Sequence, residues 1–216
     1  GKTEELRTYC RHRQNLLHES ASTSKKMKKY LRLLNLRLDV VVKDTCGLSG
    51  LRIIRAICNG EKNPEKLAEL RHANCHTSKA DIARALQSNG REDYLFALGH
   101  ELDMYDYLHR KIEECDLKIE EKLNSIIDDD ENKKQHHIEP KPYKKVNKNT
   151  PKNIDLNLKS YQMFEGTDLL AIEGMSYSTV LALMSEIGVE GIRKFPTAKH
   201  FASWLRLAPN NKVSGG

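Results

Sequence analysis

The chain has 216 residues, enough for one or two domains with a hydrophobic core. Charged residues make up 31% of it, and the net charge of +6 with a pI near 9.0 permits a phosphate-rich partner without establishing one. The five cysteines have no paired spacing, which indicates reduced thiols in a cytosolic protein and argues against a disulfide framework. No stretch of about twenty apolar residues occurs, so we expect no membrane span.

The first part of the chain is predicted to be helical. Lys2 to Asn35 has no proline or glycine, and residues such as Leu6, Arg13 and Leu16 recur at helical spacing. Glycine and asparagine stops then predict a compact cap at about residues 45–90. Its short helices are predicted at Leu51–Cys58, from Pro64 through Leu70, and at Ser78–Leu86.

Glu92 to Asp128 is predicted to be a second long helix. Its apolar residues step by three or four positions over about four to five heptads, as in the seam of a coiled coil. A single helix of this composition is marginal alone. Its partner is therefore either the first long helix, folded back through the cap in an antiparallel pair, or another subunit.

The remainder is predicted to form a charged linker and a C-terminal module. Residues 128–153 begin with acidic residues and continue with lysines that include Lys144 and Lys145. We therefore predict an all-α fold: a coiled-coil region with its cap at 1–127, the linker at 128–153, and a helix-hairpin-helix-like domain at 154–216.

A short apolar turn in this module ends at Gly174, before an apolar helical run. We expect Leu169, Leu170 and Ile172 to pack inward, and Gly174 to take a positive φ angle. Ser178 or Thr179 is expected to cap the next helix.

This turn is a candidate site for a nucleic-acid backbone. Amides around Gly174, Met175 and Ser176 would face a phosphate, as in a helix-hairpin-helix. The alternative is an ordinary glycine turn between packed helices. The usual hairpin has two glycines, and Ser176 occupies the second position here.

Ser214, in the terminal Ser-Gly-Gly, is a candidate nucleophile. Its hydroxyl can attack a phosphodiester only with a base or a metal-polarised phosphate. The alternative is that the segment is a flexible tail.

Several basic residues are candidates for phosphate contacts, or else belong to solvated faces. Aromatic residues are sparse among them, which argues against a groove that stacks single strands. Trp204 is assigned to the core of the last helix. The basic candidates are Arg7, Arg11, Arg13, Lys25 to Lys29 and Lys144 to Lys152.

No metal site is predicted. His72, Cys75 and His76 form a local cluster, but a zinc site needs four ligands and no matching pair lies elsewhere.

The segment after Leu169 resembles the C-terminal domain of the bridge-RNA-guided insertion-sequence transposases, which pair a RuvC-like four-carboxylate domain with a catalytic serine. The resemblance extends weakly over the upstream helices, and two residues depart from the pattern: Ser176, and Arg206 at a position that is usually glycine. The matching residues are Ile172-Glu173-Gly174, Glu186-Ile187-Gly188, Phe195 through Leu205, Leu207, Pro209 and Ser214-Gly215-Gly216.

The resemblance implies a mechanism and partners. Ser214 would form a covalent phosphoserine link with DNA, and a structured non-coding RNA would choose the target. The resemblance implies a homo-oligomer, a dimer or tetramer, in a bacterial or archaeal cytoplasm near the nucleoid. Mg²⁺ is expected in the parent protein through the carboxylate domain. That domain has no counterpart here, so the chain is expected to be a fragment that binds no cofactor and is inactive alone.

Two other functions stay open. One is a non-catalytic helix-hairpin-helix protein that binds DNA or dimerises. The other is an inactive transposase remnant, which Arg206 mildly favours.

Overall fold

The computed structural model describes residues 1–136 and 146–204, which contain helices and no strand. This confirms the predicted all-α class. A 3₁₀ turn covers Leu169–Ala171, and a π-helical turn, Leu183–Ile187, directly continues α9. The α-helices are α1 (Lys2–Leu33), α2 (Leu38–Val41), α3 (Leu48–Cys58), α4 (Pro64–Glu69), α5 (Lys79–Ala85), α6 (Glu92–Asp128), α7 (Glu131–Lys134), α8 (Leu156–Met163), α9 (Tyr177–Ala182), α10 (Gly188–Arg193) and α11 (Ala198–Trp204).

The chain divides into two compact units. The cap unit is Leu16–Lys111, and the terminal unit combines Gly1–Asn15 with Ile112–Gly216. Both long helices, α1 and α6, contribute residues to each unit. Within the two described ranges, no helix combines the length and apolar character that a membrane crossing requires.

Within each unit, α1 and α6 run antiparallel, because residue numbers fall along one helix as they rise along the other. The first long helix of the same chain is therefore the partner of the second. The cross-helix contacts are Lys2–Asp129 (2.5 Å) and Glu5–Lys122 (2.5 Å) in the terminal unit, and Ser20–His109 (2.8 Å) and Lys26–Glu101 (3.9 Å) in the cap unit.

Side-chain caps fix the positions at which the short helices α4 and α5 of the cap unit begin. The Asn63 side chain accepts the Lys66 N–H at 3.0 Å, and Pro64 occupies the first turn of α4. Ser78 caps α5 by accepting the Asp81 N–H at 3.1 Å. These helices enclose an apolar core with the adjacent parts of α1 and α6.

The core of the terminal unit joins the paired helices to the C-terminal helices. Leu6 of α1 and Ile119 and Leu123 of α6 are fully buried there. The C-terminal segment contributes a second group of buried side chains to the same cluster. These include Leu156, Met163, Leu170, Met175, Val180 and Leu183.

Candidate nucleic-acid interface

The hairpin, residues 172–179, begins where the chain leaves this core. Leu169 and Leu170 are buried, as predicted, and Gly174 has a φ angle of 83°, which confirms the positive value. The prediction for Ile172 was wrong, because its side chain is 48% exposed. The backbone becomes extended at Ile172 and turns its side chain outward, and Met175 is the next buried residue.

Ser176 caps α9, so the expectation of a cap at Ser178 or Thr179 was wrong. The Ser176 side chain accepts the Thr179 N–H at 3.2 Å, and its backbone is extended, as is typical of an N-cap residue. Ser178 and Thr179 instead lie in the first turn of α9. The serine at the second hairpin position therefore has a structural role of its own.

Only some hairpin amides are available to an external anion. The Met175 N–H donates to the Ile172 carbonyl at 3.2 Å, within the turn. Within residues 1–136 and 146–204, no acceptor is found for the N–H groups of Gly174, Ser176 and Ser178, and all three residues are exposed. The first N–H groups of a helix commonly lack partners, which suits them to a phosphate oxygen.

Arg7 and Arg11 of α1 are both held by Glu186 in the π-helical turn. Arg11 donates to both carboxylate oxygens at 2.7 Å, and Arg7 donates to the Glu186 backbone carbonyl at 3.1 Å. The Arg7 Nε atom also lies 3.3 Å from the carboxylate. The hydrogen bonds of Glu186 raise the pKa of Arg11 above its usual value. π-helical turns are frequent at functional sites.

Arg13 is a structural residue, which corrects its interpretation as a candidate for phosphate contact. Its side chain is 6% exposed and its Nε atom donates to Asp116 at 2.5 Å. Its Nη2 atom donates to the Asn149 carbonyl at 2.7 Å. A guanidinium enclosed in this way cannot reach an external phosphate.

A groove of about 910 Å³ lies beside the Arg7–Glu186 contact, within the terminal unit. Trp204 was assigned to the core, but it is 43% exposed on the groove wall. Its ring centroid lies 6.0 Å from that of Phe195, which is in turn 5.4 Å from Phe201. The residues that line the groove include Arg7, Glu186, Lys194, Phe195, His200 and Trp204.

The second half of α1 has a basic face in the cap unit. Lys25, Lys28, Lys29 and Arg32 line a shallow surface depression together with Leu33. Arg32 is paired with Asp39 at 2.7 Å. For the three lysines, no carboxylate partner occurs among the described side chains.

The remaining candidates are the serine nucleophile, the linker lysines and the histidine cluster. Ser214, Lys144 and Lys145 lie outside the described residues, as does Arg206. His72 accepts the Asn74 N–H through Nδ1 at 3.2 Å, so this nitrogen is used locally. Across the described ranges, no three His, Cys, Asp or Glu side chains come together in an arrangement that could hold a metal ion.

The described part of the chain is all-α. Its hairpin has exposed amides and its groove has basic side chains, and both kinds of group are suited to contact an anionic polymer. Residues 167–216 match the Transposase IS116/IS110/IS902 family, and this match spans the hairpin and most of the groove. The match supports an insertion-sequence transposase as the parent protein. No curated protein and no solved structure gives a significant match to the chain.

Proposed function

We propose that this chain is part of an insertion-sequence transposase and that its hairpin binds the DNA backbone. The family match over residues 167–216 carries the proposal, because transposition acts on DNA and the match includes the whole hairpin. The exposed amides of Gly174, Ser176 and Ser178 support it, since main-chain donors contact phosphates without reading sequence. The basic face of α1 and the lysines Lys144 and Lys145 would add further phosphate contacts.

Ser214 is the nucleophile in this proposal. Its Oγ atom attacks the phosphorus, a base takes the hydroxyl proton, and one phosphodiester P–O bond breaks to release a strand with a free hydroxyl. Among the described residues, no three His, Cys, Asp or Glu side chains come together in an arrangement that could hold a metal ion. The resemblance implies that Mg²⁺ would be held by the carboxylate domain. A structured RNA would choose the target, and a homo-oligomer would bring the two domains together.

The hairpin contact is tested with two glycine variants. Gly174→Ala places a Cβ at a φ angle of 83°, and Gly60→Ala does the same at 94° in the cap unit, where the space is open. Both variants carry similar backbone strain, but only Gly174→Ala perturbs the hairpin. We expect it to weaken binding of a labelled DNA duplex about tenfold, equivalent to losing one hydrogen bond to a charged group.

Fluorescence anisotropy at fixed salt measures this difference. Circular dichroism checks that both variants keep the helical content of the parent chain. Equal duplex affinity for the two variants would show that the hairpin is an ordinary turn.

The nucleophile is tested in the full-length transposase that contains this chain. Ser214→Ala should abolish the covalent protein–DNA adduct, whereas Ser203→Ala, at an exposed serine of α11, should leave it intact. The adduct is detected as a DNA-linked band after denaturation and is located by mass spectrometry. Persistence of the adduct in Ser214→Ala would remove Ser214 from the mechanism and leave a DNA-binding role for the hairpin.

A further inference from the structure

We infer that the groove beside Glu186 binds an unpaired nucleotide, with its base stacked on Trp204 and its phosphate held by Arg7 and Lys194. The inference rests on the proposed function for the presence of a nucleic acid. It adds a site for single strands, separate from the duplex contact at the hairpin. The sparse aromatic residues among the basic runs predicted no such groove, but Phe195, Phe201 and Trp204 come together outside those runs.

The aromatic wall of the groove is built as a platform for a flat ring. Phe195 packs against Trp204 at 6.0 Å with an interplanar angle of 57°, and Phe201 packs on Phe195 nearly edge-on. These contacts hold the indole in place while 43% of the Trp204 residue stays exposed. An immobilised and partly exposed indole can stack on bases of any identity.

The charges in the groove favour an anion. Glu186 is the acidic residue on its wall, and two guanidinium groups, Arg7 and Arg11, already surround that carboxylate. Lys194 is exposed, and no described carboxylate pairs with it. His200 contacts the Thr197 hydroxyl through Nδ1 at 2.7 Å, and a ring that accepts there donates from Nε2. A phosphate beside these groups gains partners without displacing a buried ion pair.

The aromatic wall of the groove favours an unpaired nucleotide over a duplex. The groove has a volume of about 910 Å³ and is broadly open to solvent. Bases in a duplex stack on each other and present only their edges to a protein, whereas an unpaired base can turn its face onto an indole. A partly exposed indole beside the cationic side chains of Arg7 and Lys194 matches the second geometry.

The chain offers a direct probe, because Trp204 is its one tryptophan. The full 216-residue chain is titrated with oligo(dT), oligo(U) and a duplex of equal length, and tryptophan emission is recorded. We expect both single strands to quench the emission, and the duplex to bind with little quenching. The strand that reaches half-maximal quenching at the lower concentration, oligo(dT) or oligo(U), identifies DNA or RNA as the source of the unpaired nucleotide.

Variants then separate stacking from charge. Trp204→Leu should weaken binding of labelled oligo(dT) about tenfold, as expected for the loss of one stacked base. Phe96→Leu removes an exposed aromatic ring of the cap unit and should have no such effect. Lys194→Gln should weaken binding several-fold and reduce its salt dependence, whereas Lys43→Gln, at an exposed lysine of the cap unit, should not.

Unchanged emission with all single strands, or equal quenching by the duplex, would overturn the inference. A chain that still binds duplex through the hairpin in that case keeps the proposed function. Weaker duplex binding in Gly174→Ala together with intact quenching by oligo(dT) supports two sites that act separately.

Discussion

Two arginine clusters on α1 have similar chemistry and opposite surroundings. The side chains of the Arg13–Asp116 pair are only 6% and 4% exposed. In the second cluster, the side chains of Arg7, Arg11 and Glu186 are 33%, 66% and 26% exposed. Arg11 and Arg13 are only two positions apart, but a helix turns about 200° over two residues, so they lie on different faces. Burial, and not residue type, separates an arginine that maintains the fold from one that can meet a phosphate.

The buried cluster also fixes the chain that leads into the C-terminal helices. Asp116 accepts the Lys152 backbone N–H at 3.0 Å, and Arg13 donates to the Asn149 carbonyl. A buried ion pair is tolerated when further hydrogen bonds satisfy its remaining atoms, and these two backbone contacts have that effect. The Glu186 cluster makes one backbone contact, from Arg7 to the Glu186 carbonyl, and borders an open groove.

Removing the buried carboxylate is expected to have the largest effect. Asp116→Ala leaves the Arg13 guanidinium buried without its counter-charge, which should cost about 3–5 kcal/mol of unfolding free energy. Glu121→Ala breaks the exposed Lys118–Glu121 pair on the same helix and should cost less than about 1 kcal/mol. Urea denaturation followed by circular dichroism measures both. Similar midpoints for the two variants would mean that burial does not separate the clusters.

A conservative change at the buried arginine should have an intermediate effect. Arg13→Lys keeps the charge, but one ammonium group cannot reproduce the planar fork that reaches both Asp116 and Asn149. The unsatisfied buried acceptor should cost about 1–3 kcal/mol. Arg11→Lys, at the exposed cluster, should fall within about 1 kcal/mol of the parent chain. If both lysine variants unfold at the same urea concentration, the fork of Arg13 has no special role.

The buried role of Arg13 could have been found in the sequence. Arg13 lies seven residues after Leu6 and three before Leu16, and both leucines are buried on α1. The same periodicity predicted α6 with its observed bounds, Glu92–Asp128. Helical spacing therefore indicates which face is buried, even when the residue on that face is charged.

The groove is a different case, because no local pattern predicts it. Its walls combine Arg7 of α1 with residues from Glu186 to Trp204, which are more than 170 positions away in the chain. The π-helical turn at Leu183–Ile187 shifts the residues after it, and the mainly apolar helical pattern there gives no sign of such a turn. The burial of Ile172 and Trp204 was predicted wrongly for a related reason. Apolar character alone does not show which face of a short element meets the core.

Neutralising Glu186 tests the role of the carboxylate in the exposed arginine cluster. Glu186→Gln keeps the shape of the side chain but no longer holds the charges of Arg7 and Arg11, so oligo(dT) should bind several-fold more tightly at low salt. Stability should change by no more than about 1 kcal/mol. Glu121→Gln adds the same net charge at an exposed position of α6 and serves as the control. Weaker oligo(dT) binding in Glu186→Gln would mean that the carboxylate organises the groove instead of occupying its cations.

The smallest effect is expected on the pKa of Cys10, which is influenced by charged residues of both clusters. Burial is the main cause that raises its pKa to about 11; a Ser185 hydrogen bond and Arg13 lower it, and Glu186 and Asp116 raise it. Because this pKa lies above the usual 9.0, the protonated thiol stabilises the fold below about pH 9, and that stability is lost as the pH rises to about 11.

Peptide-resolved alkylation with iodoacetamide reports the Cys10 thiolate directly. Its rate in the folded chain should rise with a midpoint near pH 11, and in denaturant near pH 9. Glu186→Gln removes one charge that raises the pKa, so the Cys10 midpoint should move slightly downward. The midpoint of Cys58, whose pKa of about 11 reflects burial and Asp103 in the cap unit, should stay in place. A Cys10 midpoint near pH 9 in the folded chain would mean that burial does not raise the pKa of this thiol. Equal shifts at both cysteines would indicate a general loosening of the fold.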